Sequence, residues 1–160
     1  PYASSIEMYR ALEDLQLNGF IKQIGVSNFN RKQIDNLLNN CTVVPYVNQI
    51  ENHIFYQRKE YVKYLQARGI KVVAWSPLCA DINKIITNPI IKAIAEKYNK
   101  TPAQIALKFL LQRDIYIIPK SRNLNRLKEN LNLDFNISES DMSALRGLDE
   151  GKSLFGWYTD

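Results

Sequence analysis

The stretch IYIIPKSRNLNRLKEN, residues 115–130, has the pattern of one strand followed by one helix. Its first residues are apolar, Lys120 and Ser121 interrupt them, and leucines at helical spacing follow. A buried strand that runs into a helix is a βα unit, the building block of parallel sheets. The N-terminus of the helix is electropositive because its first N–H groups lack partners, and Lys120 and Arg122 add cations there. The stretch therefore predicts a βα unit with a site for an anion, such as a phosphate, at the junction.

Three further strand patterns precede this one, each followed by a helical pattern. They are KQIGVSNF at 22–29, VPYVNQIE at 44–51 and IKVVAWSPL at 70–78. Strands that alternate with helices predict parallel pairing through right-handed crossovers, and strands apolar at nearly every position predict a sheet covered on both faces. A helix before the first strand carries Met8, Leu12 and Leu15 on one face.

The fold class expected from this order is α/β, as the C-terminal half of a (β/α)8 TIM barrel. A complete barrel takes about 250 residues and eight strands, whereas this sequence has 160 residues and four strand patterns. We therefore expect residues 1–160 to form one partial barrel domain, with extra helices and with the first half of the barrel absent from this chain. That half would come from the same polypeptide or from another chain.

Composition excludes several classes of function. The chain is 46% apolar and 23% charged, which fits a globular domain, and no apolar run is long enough to cross a bilayer. The net charge of +5 is scattered, and no nucleic-acid-binding motif accompanies it. Cys41 and Cys79 lack metal-ligand spacing and suggest a reducing compartment. We expect a cytoplasmic protein with no membrane, nucleic-acid or metal partner.

Polar or aromatic residues end each of the four strand patterns. Each such residue alone is more often a turn or capping residue, and Trp75 alone is more often a core residue. In a parallel barrel, however, all four strand ends lie on one rim, which is where functional groups of this fold are found. Together they suit a ligand with a carboxamide, an aromatic ring and phosphates. The strand ends are Ser27-Asn28, Asn48-Gln49, Trp75-Ser76-Pro77 and Lys120-Ser121.

The same segments resemble the signatures of the aldo-keto reductases. GFIKQIGVSNFN at 19–30, VNQIENH at 47–53, VVAWSPL at 72–78 and the stretch at 115–130 follow the order and spacing of that family, and the resemblance covers residues 6–160. It implies a TIM-barrel reductase that transfers a hydride from NADPH to a small aldehyde or ketone. Trp75, where many animal members have Tyr, places the sequence nearer to the microbial and plant-type branches.

The resemblance also implies which residues bind the nicotinamide half of NADPH. The residues matching Ser27, Asn28 and Gln49 hold the carboxamide, and the aromatic residue matching Trp75 stacks on the nicotinamide ring. The segment beside the pyrophosphate is Ser76, Pro77 and Leu78.

A second group is implied for the adenosine half. Lys120, Ser121 and Arg126 match the group that binds the 2′-phosphate, and two or three cations suit a dianion. Arg122, where the family often has a small apolar residue, is included with them. Glu129 and Asn130 match residues that face the adenine. We therefore expect a preference for NADPH over NADH.

No catalytic residue is assigned to this chain. In the family, the acid Tyr, the Lys and Asp that tune its pKa, and the His that orients the carbonyl all precede the helix that begins this sequence. His53 is the single histidine, does not match the family's catalytic His, and is expected to be structural. The 160-residue chain alone is therefore expected to be inactive.

Two alternatives and one substrate residue remain open at this point. The chain could be a non-catalytic NADPH-binding module, or a degenerate half-barrel that pairs with itself or with a partner. In the C-terminal segment KSLFGWYTD, Trp157 is the candidate substrate residue, although its aromatic residues could instead pack on the barrel.

Overall fold

The computed structural model describes residues 2–156, with side chains from residue 5 onward. Within that range, four strands form a single parallel sheet in the order β1-β2-β3-β4. The α/β fold class and the parallel half-barrel pattern are thereby confirmed. The strands are β1 (Val26–Ser27), β2 (Val47–Glu51), β3 (Lys71–Trp75) and β4 (Ile115–Ile117).

Helices flank and connect these strands. One helix precedes β1, one connects each of the first two strand pairs, three lie between β3 and β4, and two follow β4. They are α1 (Tyr2–Leu17), α2 (Arg31–Asn40), α3 (Lys59–Gln66), α4 (Ile82–Thr87), α5 (Pro89–Tyr98), α6 (Pro102–Leu111), α7 (Leu124–Leu131) and α8 (Glu139–Arg146). No helix in the described part of the chain has the length and apolar character needed to cross a bilayer.

Side-chain caps determine where several helices begin. Asn30 and Gln33 form a reciprocal capping box at α2, because each side chain accepts from the other residue's backbone N–H. Thr101 and Gln104 form the same arrangement at α6. Asn88 caps α5 through the N–H groups of residues 90 and 91, with a proline at the first helical position. These caps satisfy N–H groups that would otherwise lack partners.

The two faces of the sheet differ in burial. Ile50, Val72, Ala74 and Ile115 point toward the helices and are almost fully buried in the main core. Residues at the alternate positions of β2 and β3 lie on the opposite face and are only partly buried, except Glu51 at the end of β2, which is buried. In a closed barrel this second face would line the interior.

Asn48 illustrates how this alternation separates neighbouring polar residues. It lies on the helix side of β2, is fully buried, and donates from Nδ2 to the Phe29 carbonyl oxygen at 2.9 Å and to Tyr61 Oη at 3.0 Å. Tyr61 Oη also donates to the Phe29 carbonyl. Asn48 therefore fixes the loop after β1, while Gln49 next to it faces the other side.

Two helices leave exposed the apolar residues that sequence periodicity places along them. On α1, Met8, Leu12 and Leu15 are all exposed, whereas Tyr9 is buried with its hydroxyl donating to the Val43 carbonyl at 3.1 Å. The physical reason is position, because no strand lies beyond β1 in the described residues to cover that side of α1. On α7 the leucines at 124, 127 and 131 are likewise exposed, beside the opposite sheet edge.

Candidate functional site

The C-terminal ends of the four parallel strands lie on one edge of the sheet. In the register, Ser27 pairs with Gln49 and Glu51 pairs with Trp75. Because strand residues two apart share a face, Gln49 and Trp75 lie on the same, less buried side of the sheet. The strand ends therefore present amide, hydroxyl and indole groups together on the side opposite the helices.

Trp75 is held against the end of β1. Its indole Nε1–H donates to Asn28 Oδ1 at 2.7 Å. Asn28 is itself fixed to β2, since its backbone N–H donates to the Gln49 carbonyl oxygen at 2.9 Å, and Ser27 Oγ donates to the same oxygen at 3.2 Å. The indole is thus oriented by a polar contact that a phenyl ring could not make.

Strained backbone conformations mark the same edge. Asn28, Ser76 and Cys79 have φ values of 58°, 50° and 50°, in the left-handed region that non-glycine residues seldom adopt. Asn28 follows β1, and the other two follow β3. Such residues cost free energy and persist where the surrounding structure holds them, often at binding sites.

An open cavity of about 760 Å³ adjoins the ends of β3 and β4. One wall is the turn between β4 and α7 together with the first turns of α7, another is the N-terminus of α6, and the third comes from the segment after β3 with α4. The predicted site residues that line it are Leu78, Lys120, Ser121, Arg122, Arg126, Glu129 and Asn130.

The cavity carries an excess of positive charge. Lys120, Arg122 and Arg126 line it together, and Glu129 is the single acidic residue among its lining residues. In the described part of the chain, none of the three cationic side chains makes a hydrogen bond or ion pair, whereas Asn123 uses its side chain to cap α7. Cations left without partners beside two helix N-termini favour binding of a phosphate group.

The predicted residues thus form two groups. Ser27, Asn28, Gln49 and Trp75 surround the ends of β1–β3, and the seven cavity residues surround the start of α7. The segment 76–78 connects the two groups, because Ser76 and Pro77 follow Trp75 directly and Leu78 lines the cavity. Trp157, the candidate substrate residue, lies outside the described residues.

Several cavity residues were not expected from the sequence. Ile82 and Ile86 of α4 form an apolar part of the wall together with Cys79, and Thr101 and Pro102 contribute the start of α6. The helix α4 has only six residues, so its periodicity is too short to detect, although Asp81 at its N-cap is a recognisable signal. The Thr101-Pro102 pair has the sequence of a helix start, and this local pattern gives no sign of a role in a site.

His53 is a buried residue next to β2, as expected for a structural histidine. Its Nε2 lies 3.3 Å from Glu51 Oε1, and Nδ1 has no partner in the described residues. Burial lowers the pKa of His53, and the adjacent Glu51 only partly opposes this effect. The neutral ring therefore carries its proton on Nε2. Residues 5–156 contain no group of three or more His, Cys, Asp or Glu side chains that could hold a metal ion.

The family model described as the aldo/keto reductase family matches residues 1–82 and 83–150 of this sequence. The chain belongs to the aldo/keto reductase family. Among curated members it is 41% identical over 145 residues to the uncharacterized oxidoreductase YtbE of Bacillus subtilis, covering 90% of this chain and 51% of that protein. It is 38% identical over 157 residues to the NADPH-dependent D-xylose reductase of Meyerozyma guilliermondii, covering 90% and 50%. The chain spans about half the length of these relatives.

Solved aldo/keto reductase structures have the same fold. An enzyme from a Medee basin deep-sea metagenome library superimposes with a TM-score of 0.94 at 36% identity, covering 97% of this chain and 58% of that one. The silkworm (Bombyx mori) aldo-keto reductase, in its complex with NADPH, superimposes with a TM-score of 0.83 at 39% identity, covering 91% and 47%. The partial-barrel description of this family member is therefore supported by both its strand order and its structural neighbours.

Proposed function

We propose that this chain is the NADPH-binding portion of an oxidoreductase that reduces aldehydes or ketones to alcohols. The observation that carries the proposal is the cavity at the start of α7, where Lys120, Arg122 and Arg126 lie together without partners in the described residues. An NADPH-dependent relative and an NADPH-complexed structural neighbour support this choice of cofactor.

The residues of the site fit the chemical groups of the nucleotide. Lys120, Arg122 and Arg126 would bind the 2′-phosphate, whose double negative charge favours charge-assisted hydrogen bonds. Trp75 would stack on the nicotinamide, at the other end of the segment 76–78. When bound, NADPH supplies the hydride that reduces the carbonyl carbon.

Amide and hydroxyl groups complete the nicotinamide end. Ser27, Asn28 and Gln49 would bind the carboxamide, because their side chains offer both donors and acceptors. Ser76 and Pro77 would lie beside the pyrophosphate, and Glu129 and Asn130 would face the adenine from the cavity wall. Each contact orients the nucleotide and leaves proton transfer to other groups.

Glu51 is a carboxylic acid at this edge of the sheet, but its oxygens already accept from Ser153 Oγ and the Leu154 backbone N–H, so we assign no proton donor there among the described residues. A lysine does hydrogen-bond to a tyrosine elsewhere in the fold, where Lys71 Nζ donates to Tyr46 Oη at 2.5 Å. Lys71 begins β3 and Trp75 ends it, so this pair is remote from the residue proposed to stack on the nicotinamide. We therefore propose that the 160-residue chain binds the nucleotide but does not reduce carbonyls by itself.

The remaining half of the barrel would provide the missing groups. β1 and β4 are the two edges of the sheet, and the leucines at 124, 127 and 131 of α7 are exposed beside one of them. Four further strands, from the same polypeptide or a second chain, would pair with these edges and bury these side chains. The substrate would be a small aldehyde, a dicarbonyl or a sugar-derived ketone. The free thiols Cys41 and Cys79 suit a reducing compartment such as the cytoplasm.

Nucleotide titration of the purified chain tests the proposal. We expect NADPH to bind more tightly than NADH, and Arg126→Ala to reduce that preference about tenfold, since a charge-assisted contact to the phosphate is lost. Lys128→Ala is the matched control, because Lys128 is on the same helix but does not line the cavity.

Equal affinity for both nucleotides, or an unchanged preference in Arg126→Ala, would contradict the assignment of the cavity. A second assay follows oxidation of NADPH by a panel of aldehydes and ketones. We expect no turnover by the 160-residue chain and turnover by a protein that contains both halves of the barrel. Turnover by the short chain would disprove its dependence on the other half.

A further inference from the structure

The segment after α8 crosses the ends of the strands and is held there by several hydrogen bonds and an ion pair. Asp149 Oδ1 accepts from the Gln57 backbone N–H at 3.0 Å. The Glu150 backbone N–H donates to the Phe55 carbonyl at 2.9 Å, and its carboxylate pairs with Lys84 at 2.6 Å. These contacts bring residues 151–156 to the same edge of the sheet as Trp75.

Glu51 provides the next anchor. It ends β2, pairs in register with Trp75, and is 4% exposed. Its Oε2 accepts from Ser153 Oγ, and its Oε1 accepts from the Leu154 backbone N–H at 3.0 Å. Burying a carboxylate costs free energy unless hydrogen-bond donors contact its oxygens. Two of the donors to Glu51 come from the C-terminal segment.

His53 supports Glu51 from within the protein. Burial lowers the pKa of His53, so the ring is neutral and its Nε2–H donates to Glu51 Oε1 at 3.3 Å. A neutral donor orients the carboxylate without cancelling its charge. Glu51 therefore keeps its capacity to attract the Ser153 hydroxyl and the Leu154 amide.

Ser153 also shapes the chain that follows it. Its Oγ accepts from the backbone N–H groups of Phe155 at 3.1 Å and Gly156 at 3.0 Å, which closes a tight turn. The turn brings the Phe155 ring edge-on to the Trp75 indole, with centroids 5.0 Å apart and an interplanar angle of 63°. Aromatic pairs of this geometry are attractive beyond their buried area.

We propose that Glu51 is a positioning residue that fastens the C-terminal segment through Ser153 and thereby fixes Phe155 against Trp75. Trp75 is then held from two directions, by Asn28 at its indole nitrogen and by Phe155 at its ring. This inference rests on the proposed function only in that Trp75 is taken as the platform for the nicotinamide. An indole that is already fixed before binding loses less conformational freedom when the nucleotide binds.

Amide hydrogen exchange on the nucleotide-free chain tests whether Glu51 and Ser153 hold the C-terminal segment in place. We expect Ser153→Ala to increase exchange of the amides of residues 154–156 about tenfold or more, because their side-chain acceptors are lost or displaced. Ser153→Thr keeps a hydroxyl and should exchange like the parent chain. Lys152→Ala, an exposed neighbour in the same segment, should also leave these amides unchanged.

The Glu51→Gln variant tests the role of Glu51 separately from that of the turn at Ser153. A carboxamide presents one oxygen in place of two, so we expect the same amides to exchange faster than in the parent chain. Unchanged exchange in Ser153→Ala would overturn the proposal. Faster exchange in Ser153→Ala combined with unchanged exchange in Glu51→Gln would overturn the role of Glu51.

Fluorescence and nucleotide affinity test the consequence for Trp75. In a Trp157→Phe background Trp75 is the single tryptophan, and we expect Ser153→Ala to shift its emission toward that of a solvent-exposed indole. We also expect Ser153→Ala to weaken NADPH binding about threefold to tenfold, with Ser153→Thr restoring it. Unchanged emission, or unchanged affinity in a variant whose segment is loosened, would overturn the positioning role. Absence of NADPH binding by the parent chain would overturn the proposed function. The exchange and emission results would then still show whether Glu51 and Ser153 hold the C-terminal segment in place.

Discussion

Gly25 lies where β1 approaches β2 too closely for any side chain. A Cβ atom at this position would meet Val47 Cγ2 at 2.6 Å and the Val47 carbonyl oxygen at 2.9 Å. Relief would require a shift of the β2 backbone as well as of a β-branched side chain. The close approach matters for the site because β1 carries Ser27 and leads directly to Asn28.

We expect Gly25→Ala to lower the free energy of unfolding by about 1–3 kcal/mol, since overpacking of a close contact forces backbone movement. Urea denaturation followed by circular dichroism measures this difference. The exchange of the Asn28 amide, which donates to the Gln49 carbonyl, should increase in the same variant.

Gly147→Ala is the matched control for this substitution. Gly147 has φ of −67° at the end of α8, and the nearest contact of an added Cβ is 3.2 Å. The free energy of unfolding should change by no more than about 1 kcal/mol, because a helical conformation suits alanine. A loss in Gly25→Ala no larger than that in the control would show that the two strands separate easily.

The place of some residues in the site could be predicted from the sequence, and that of others could not. Lys120 and Trp75 can be placed because they follow apolar strands, and the ends of parallel strands share one edge. Glu51 and Ser153 are 102 positions apart, and no local pattern joins them. Their contact depends on the path of the chain after α8, which the periodicity of short segments does not specify.

At the scale of elements, α8 is fastened to α5 by one carboxylate. Asp141 Oδ2 accepts from Lys97 Nζ at 2.7 Å, from Tyr98 Oη at 2.7 Å and from Ser138 Oγ at 2.7 Å. These hydrogen bonds, that of Lys97 foremost, lower the pKa of Asp141 from its ordinary 3.8 to about 2. The ionised form is therefore favoured in the folded protein.

The lowered pKa of Asp141 makes part of the stability depend on pH. This contribution is fully present above pH 3.8 and is lost as the pH falls toward 2, because the proton binds more tightly to the unfolded chain. We expect Asp141→Asn to be less stable than the parent chain at pH 5, with the difference shrinking below pH 3.8. Urea midpoints measured across this interval give the comparison.

Asp114→Asn is the control, since Asp114 is exposed and its carboxylate makes no hydrogen bond or ion pair within residues 5–156. Its difference from the parent chain should not change with pH in the same way. A constant difference between Asp141→Asn and the parent chain from pH 5 downward would contradict the assignment.

Most elements could be predicted because their caps and periodicity are local. The reciprocal caps at Asn30 and Thr101 and the Asn88-Pro89 helix start are each contained in a short stretch of sequence. The helix α4 was missed because six residues make too few turns for periodicity to appear. The exposure of the apolar face of α1 could not be predicted, because burial depends on which elements surround a helix, and the helix alone does not contain that information.

At the scale of the whole molecule, apolar surface is concentrated beside the two edges of the sheet. On α7, Leu124 is 66% and Leu131 is 85% exposed, and on α1, Met8 is 62% exposed. The same helices flank the edge strands β4 and β1. Exposed apolar faces next to unpaired strand edges favour association.

We expect the 160-residue chain alone to self-associate in a concentration-dependent manner and to bind a hydrophobic dye. Replacing both Leu127 and Leu131 by Glu should reduce the dye signal and the average mass measured by light scattering, because charge disfavours burial of that face. Lys128→Glu changes the charge of the same helix without removing apolar surface, and it should have a smaller effect. A monomer that binds no dye would contradict this expectation.

The strands are ordered in space as they are in the chain, and this has a consequence for biosynthesis. Each strand pairs with the one made just before it, so the sheet can grow one unit at a time as the polypeptide leaves the ribosome. The segment that contacts Glu51 follows all four strands in the chain, so it emerges after them. Nascent chains halted before Ser153 should therefore contain the assembled sheet but lack the contact between Trp75 and Phe155, so the indole becomes fixed later than the sheet forms.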